Sequence, residues 1–193
     1  MAYASLAQLK EYLGTSSPTD DDLMTRLLAA AQAGIEQNRG GRRFEAVDDE
    51  VRYVDYDDFH VVDRTLYLDD DLCQITQIVN GDGTIVSPDD YVTIPRHATP
   101  FYAIRLKQGR SIVWTYSDTP EDAIAITGRW AYSVTPSANV TQATIRLAAW
   151  MYRQKDTSKD SGDKVMLGAF GPVVLPSRLP SDVLDLLPPA KEV

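Results

Sequence analysis

Acidic side chains are concentrated between positions 48 and 90, and carboxylates are the groups from which calcium sites and hydrolytic sites are built. The acids of this segment, opposed only by Arg52 and Arg64, are Asp48, Asp49, Glu50, Asp55, Asp57, Asp58, Asp63, Asp69, Asp70, Asp71, Asp82, Asp89 and Asp90. Neither the group at 55–58 nor the group at 69–71 has the spaced Asp-x-Asp-x-Asp-Gly loop and closing Glu of a calcium loop. The pattern therefore favours solvated turns between strands.

Other residue types that support catalysis are sparse. His60 and His97 are the only histidines, Cys73 is the only cysteine, and their spacing is not that of a zinc site. The chain has no Gly-x-Ser-x-Gly elbow, no phosphate loop ending in Gly-Lys-Ser/Thr and no dinucleotide fingerprint. We therefore predict no catalytic site, no metal and no cofactor. A hydrolase with a carboxylate pair stays open as an alternative, because separation in sequence does not determine distance in space.

The composition predicts a globular protein that does not bind nucleic acid tightly. Of the 193 residues, 44% are hydrophobic, which is enough for a core. The formal net charge of -9 disfavours tight binding to a phosphate backbone. No run approaches the about 20 apolar residues that span a bilayer, and the first residues lack the pattern of a signal peptide. A single cysteine cannot form an internal disulfide, which fits a reducing compartment.

The most apolar helix is predicted over residues 140–155. It begins after Pro136, which is excluded from a helix interior, and Ser137 or Asn139 can cap its first turn. Its apolar positions extend around more than one face. We therefore expect other elements to cover this helix on more than one side.

Two amphipathic helices are predicted near the N-terminus. The first covers residues 5–13 and ends at Gly14, and the second follows a cap from Thr19 or Asp20 and continues to position 38. The second helix has many small residues on its apolar face, which would let another helix approach closely.

The middle of the chain has the period of β-structure instead. Strands are predicted over 51–55, 65–68, 74–79, 91–94, 102–106, 112–116 and 123–132. The sequence Asn-Gly-Asp-Gly at 80–83 predicts a tight hairpin turn. Strands at this spacing are typical of a small sandwich or barrel.

The end of the chain combines a polar stretch at 157–164 with an apolar stretch at 165–175 that glycines and a proline interrupt. A turn or two of helix is predicted over 180–187, before two prolines. Two interpretations stay open for the apolar residues: contact with a partner, or packing back on the chain's own domain.

The order of these segments resembles that of the head–tail connector proteins of tailed bacteriophages, also called adaptor or head-completion proteins. The segments that carry the resemblance are 3–14 (YASLAQLKEYLG), 20–45 with its DDDL, LLAAA and GGRRFE, 66–72 (LYLDDDL) with NGDG, and 126–133 (ITGRWAYS) with 145–156 (IRLAAWMYRQKD). They cover most of the chain up to about position 156, and the tail beyond it matches less clearly.

The resemblance implies an α+β fold. A small α-helical bundle, made of the two N-terminal helices and the central helix, would cover residues 1–41 and 134–156. A β-rich lobe, sandwich-like or barrel-like, would be inserted at 42–133. Residues 157–193 would form an extended C-terminal docking tail.

The resemblance also implies a function without enzymatic activity. Such a protein forms a homo-oligomeric ring, commonly a dodecamer, under the phage portal protein in the virion neck, and is assembled in the host cytoplasm. The ring extends the DNA channel and joins the portal to stopper or tail proteins, with double-stranded DNA only as passing cargo and no membrane contact. The tail residues that this assigns to the portal or to a neighbouring subunit are Met166, Leu167, Phe170, Val173, Val174, Leu175, Leu184 and Leu187.

A second function class is left open by the residues of the β-rich middle. Its acidic loops and its tyrosines would also fit a carbohydrate- or protein-binding β-sandwich module. The tyrosines concerned are Tyr53, Tyr56, Tyr91 and Tyr102.

Overall fold

The computed structural model describes residues 3–154, 166–168, 171–173 and 179–190. Its fold is α+β, with antiparallel sheets, and it divides into two compact units. We call Met1–Arg42 with Pro136–Val193 the helical unit, and Arg43–Thr135 the β unit. The elements in chain order are α1 (Leu6–Leu13), α2 (Asp21–Asn38), β1 (Glu50–Val54), β2 (Val61–Val62), β3 (Thr65–Leu72), β4 (Gln74–Val79), β5 (Tyr91–Ile94), β6 (Phe101–Leu106), β7 (Ile124–Arg129), α3 (Ala138–Gln154), β8 (Met166–Gly168), β9 (Gly171–Val173) and α4 (Ser181–Leu184).

The first two helices begin and end close to the predicted positions. Ser5 and Gln8 form a capping box at the start of α1, and Gly14 ends the helix in the left-handed conformation with a φ of 69°. Asp20 occupies the N-cap position of α2 but makes no capping hydrogen bond. Its carboxylate instead accepts a hydrogen bond from the hydroxyl of Tyr152 in α3, which ties the start of α2 to the central helix.

Helix α3 is the centre of the helical unit. The Ser137 hydroxyl accepts the backbone N–H of Val140 at 3.3 Å, which is the predicted cap. Eight of its side chains are buried, and the helix packs against α1, α2 and α4. The expectation that it must be covered on several sides is therefore confirmed. A β-carbon at Gly34 of α2 would lie an ordinary 3.9 Å from Leu147 Cδ2, so the packing of α2 on α3 does not require glycine at this position.

The β unit contains two antiparallel sheets around one core. The strand orders are β1-β7-β4 and β2-β3-β6-β5. The core takes Val54, Ile78, Ile124 and Ile126 from the first sheet, and Leu66, Ile104 and Leu106 from the second. Both sheets are open among the described residues, so the barrel option in the sequence-based expectation is wrong and two sheets sharing a core are found.

Two strands of the first sheet approach each other unusually closely. A β-carbon added to Gly128 of β7 would lie 2.2 Å from the carbonyl oxygen of Gln74 in β4. The pairing register of β4 and β7 shifts between Ile75 and Gln77, which marks a bulge or irregularity beside this contact. Only glycine fits at position 128.

The predicted strand at 112–116 is not formed. This stretch is irregular apart from an isolated bridge between Tyr116 and Gly81. Side chains satisfy its backbone instead. The Arg64 guanidinium donates to the carbonyl oxygen of Ile112 at 2.7 Å, and the buried Asn80 binds Val113 O and Thr115 N–H. The β-prone residues at 112–116 predict a strand, but the side chains that bind this backbone come from distant parts of the chain, so no strand forms.

The predicted turn at 80–83 is present. Gly83 N–H donates to Asn80 O at 2.8 Å, and Val79 pairs with Ile85 across the turn. Gly83 has the positive φ of this turn. Gly81 must be glycine for a different reason, because a β-carbon at this position would lie only 2.6 Å from Thr115 O. The turn therefore reverses the chain and also supports the irregular stretch.

Candidate functional site

Four of the six carboxylates considered as calcium ligands are already bound by protein donors. Asp55 accepts the backbone N–H of Asp122 at 2.7 Å, and Asp70 pairs with Arg52. Asp57 and Asp69 both contact His60. Within the described residues, no three histidine, cysteine, aspartate or glutamate side chains are grouped so that they could hold a metal.

His60 is clamped between two carboxylates. Its Nδ1 lies 2.9 Å from Asp57 Oδ1, and its Nε2 lies 3.2 Å from Asp69 Oδ2. Partial burial favours the neutral imidazole, but the hydrogen bonds that the protonated ring donates to Asp57 and Asp69 outweigh it, so the pKa of His60 is raised. The pKa of Asp57 is lowered, first because its carboxylate accepts the backbone N–H of His60. The clamp holds the 57–60 turn to β3 and is a structural ion pair.

The other two chemically versatile residues are placed differently. Cys73 is buried and its thiol donates to Arg129 O at 3.3 Å, and burial raises its pKa, which suppresses the reactive thiolate. His97 is exposed between β5 and β6. Neither residue joins His60 in a cluster.

The tyrosines of the binding-module interpretation do not form one platform. Tyr91 packs on the core of the β unit, and Tyr56 packs against Tyr116 with ring centroids 5.2 Å apart and ring planes tilted by 50°. Tyr53 and Tyr102 are exposed, on strands of different sheets. Within the described part of the chain, these four tyrosines are therefore not brought together as a glycan site.

The last described segment, residues 179–190, is attached to the helical unit by three arginines. Arg39 donates to Leu184 O at 3.0 Å, Arg42 donates to Pro189 O at 2.8 Å, and Arg146 pairs with Asp182 at 3.3 Å. Val183 and Leu187 are buried, and α4 packs on α3. Sequence reasoning missed these arginines, because their partners are more than 30 residues away and no local pattern identifies them.

The residues predicted to dock a partner are therefore divided. Leu187 is buried in its own unit and Leu184 is half-buried. Met166, Leu167 and Val173 lie on a hairpin in which Met166 pairs with Val173 and Leu167 with Pro172. The remaining three, Phe170, Val174 and Leu175, lie outside the described residues.

Among the described residues, none of the helices combines the length and the apolar character needed to cross a bilayer.

Comparison with known proteins gives a result for the fold only. No family model matches the chain, and no curated protein matches it in sequence. A chain in the neck of an empty gene transfer agent (GTA) particle, computed with C6 symmetry, aligns over 99% of this chain and 91% of its own, with a TM-score of 0.55 and 17% identity.

Two further solved structures agree. A chain in the virion of a native GTA particle aligns over 99% of this chain and 91% of its own, with a TM-score of 0.54 and 16% identity. A chain in the neck of a native GTA particle, computed with C12 symmetry, aligns over 97% of this chain and 89% of its own, with a TM-score of 0.52 and 17% identity. The chain therefore has a fold found in the neck of gene transfer agent particles, which confirms, at the level of the fold, its resemblance to head–tail connector proteins.

Proposed function

We propose that this chain is a structural protein of a virion neck, a head–tail adaptor that assembles as a homo-oligomeric ring. The observation that carries the proposal is the fold likeness, which extends over 99% of the chain and includes neck structures computed with C6 and C12 symmetry. A ring of twelve copies fits both symmetries. It would lie under the portal, lengthen the DNA channel and connect the portal to stopper or tail proteins.

The charge of the chain is compatible with that role. A channel wall that lets DNA pass should not bind it tightly, and a net charge of -9 supplies no excess of cations for phosphates. The likeness to structures of virion necks supports a structural protein without enzymatic activity. We place it in the virion neck after assembly in the host cytoplasm.

We further propose that the apolar tail residues dock on the portal or on a neighbouring subunit. The hairpin with Met166, Leu167 and Val173 would supply the first contacts, together with Phe170, Val174 and Leu175. Leu184 and Leu187 would contribute to docking from the helical unit, in which α4 packs on α3. The docking element would then be the apolar stretch that lies between α3 and α4 in the sequence.

Ring formation is tested by native mass spectrometry and electron microscopy of the purified chain, alone and mixed with a portal ring. We expect a closed oligomer of about a dozen copies in at least one sample. A chain that stays monomeric in both samples, and instead retains calcium or a glycan, would overturn the adaptor and favour the binding module.

Tail docking needs a variant that keeps α4. Truncation after Asp160 also removes Val183 and Leu187, which are buried in the helical unit, and would confuse docking with stability. Replacing residues 165–175 by an equally long Gly/Ser linker avoids this problem. We expect that variant to unfold at the wild-type temperature but to lose portal binding. Unchanged binding would exclude the hairpin as the docking element.

A further inference from the structure

The net charge of the chain is confined to the β unit. This unit contains 17 acidic residues against 8 arginines and lysines, whereas the helical unit contains 11 of each kind. Together these are the 28 acidic and 19 basic residues of the whole sequence. The β unit therefore has the full formal charge of -9, and the helical unit is neutral.

The charges of the helical unit are also balanced locally. Lys10 lies 2.8 Å from Asp21, and Arg146 lies 3.3 Å from Asp182. Opposite charges this close together cancel each other when they are seen from more than a Debye length away. The electrostatic potential that this unit presents to a neighbouring molecule is therefore small.

In the β unit, arginines neutralise the acids beside them but cannot balance the rest. Arg52 pairs with both Glu50 and Asp70, and Arg129 pairs with Asp49. Each of these cations is already engaged with an acid of its own unit. Since acids outnumber cations about two to one, a surplus of negative charge remains elsewhere on the unit.

Much of this surplus lies at one end of the three-stranded sheet. Three loops meet there, because the backbone N–H of Asp122 donates to Asp55 at 2.7 Å and that of Ser117 donates to Gly81 O at 3.2 Å. The loops are 55–60, 80–84 and 117–122. They contain seven acids and neither lysine nor arginine.

Distance and salt decide how strongly two β units repel each other. A compact unit of this length is about 30 Å across. The Debye length is about 30 Å at about 10 mM salt and about 8 Å at about 150 mM. Two such units side by side therefore repel each other strongly at the lower salt concentration and are largely screened at the higher one.

We propose that repulsion between the β units of neighbouring copies opposes ring closure, so that ionic strength controls assembly of the ring. This inference rests on the proposed ring and adds how its formation is regulated. The expected direction is opposite to that of an interface held by ion pairs, which salt weakens.

The salt dependence of ring formation tests the inference directly. Mass photometry of the full chain gives the protein concentration at which half of the copies are in rings. We expect this concentration to fall at least about tenfold when sodium chloride is raised from about 10 mM to about 150 mM, which corresponds to about 1.4 kcal/mol. A concentration that stays constant or rises with salt would overturn the inference.

Three exposed acids of the β unit allow a sharper test. Asp58, Asp118 and Glu121 make no side-chain hydrogen bond or ion pair within the described part of the chain. Replacing them together by Asn, Asn and Gln removes three negative charges and should lower the ring-forming concentration about tenfold at about 10 mM salt. Replacing them by Glu, Glu and Asp keeps the charge and should leave ring formation as in the parent.

A matched variant of the helical unit tests the location of the effect. Glu11→Gln, Asp22→Asn and Asp185→Asn change three exposed acids and give the chain the same net charge as the first triple variant. Because these acids lie among balanced charges, the ring-forming concentration should change less than about twofold. Equal effects of the two variants would show that the net charge of the whole chain controls assembly, and would overturn the assignment to the β unit.

Two further outcomes separate this inference from the proposed function. Rings that form equally well at every salt concentration would overturn the inference and leave the adaptor function intact. If the chain forms rings only with a portal ring, the same variants are compared in that mixture, where the portal contact is common to all of them. A chain that never forms rings, with or without the portal, would overturn both.

Discussion

Glycine has opposite roles in the two units. In the helical unit, a β-carbon at Gly34 would meet only Leu147 Cδ2, at an ordinary 3.9 Å. In the β unit, a β-carbon at Gly128 would lie 2.2 Å from a backbone carbonyl. The helices therefore touch through adjustable side chains, whereas two strands of the sheet touch through rigid backbone. We conclude that the β unit tolerates far less change at its contacts.

The same substitution in each unit gives the largest expected contrast. Gly128→Ala must push β7 from β4 and should lower the free energy of unfolding by about 3 kcal/mol. Gly34→Ala replaces a glycine inside α2 and should raise it by about 0.5 kcal/mol, because alanine restricts the unfolded chain. Chemical denaturation of both variants measures the two effects. A similar loss in both would contradict the comparison.

Arginines that hold backbone carbonyls provide a second contrast. Arg64 donates to the carbonyl oxygens of Leu106, Lys107, Arg110 and Ile112. Arg64→Ala leaves several acceptors without a donor and should cost about 2 kcal/mol. Arg39→Ala removes a single described bond, to Leu184 O, and should cost about 0.5 kcal/mol. Thermal unfolding ranks the two, and Arg64→Lys should recover only part of the loss, because an ammonium lacks the fork of a guanidinium.

The attachment of α4 can be weakened by itself. Val183→Ala removes two buried methyl groups and should cost about 1.5 kcal/mol locally. Hydrogen exchange at residues 183–187 should accelerate while the amides of the β unit stay protected. Leu184→Ala is the control, since that side chain is only half-buried. Acceleration throughout the chain would show instead that α4 is part of the global folding unit.

The smallest expected effect concerns the His60 clamp. A raised His60 pKa contributes stability that is complete below its ordinary value of 6.5 and is lost as the pH rises through the raised pKa. The lowered Asp57 pKa contributes stability above its ordinary 3.8, lost as the pH falls through the lowered pKa. The clamp is therefore strongest between these values. His60→Asn should reduce the midpoint temperature more at about pH 5.5 than at about pH 8. A pH-independent loss would argue against the ion pair.

Local signals in the sequence account for the parts of the fold that were predicted. Gly14 and Ser137 are contiguous with the helices that they delimit, so α1 and α3 could be placed within two or three residues. The stretch at 112–116 could not be placed, because Asn80 and Arg64 lie more than 30 residues away. The same limit applies to the tail, whose composition indicated exposed apolar residues but not the attachment of 179–190 by arginines.

The attachment of residues 179–190 has a mechanical consequence. The hairpin of β8 and β9 is not on a free end: the chain returns to the helical unit at α4, so the hairpin is tethered at α3 and again at α4. A load applied to the hairpin is then shared between two anchor points. A single proteolytic cut on either side of the hairpin would leave it joined to the subunit through the other tether.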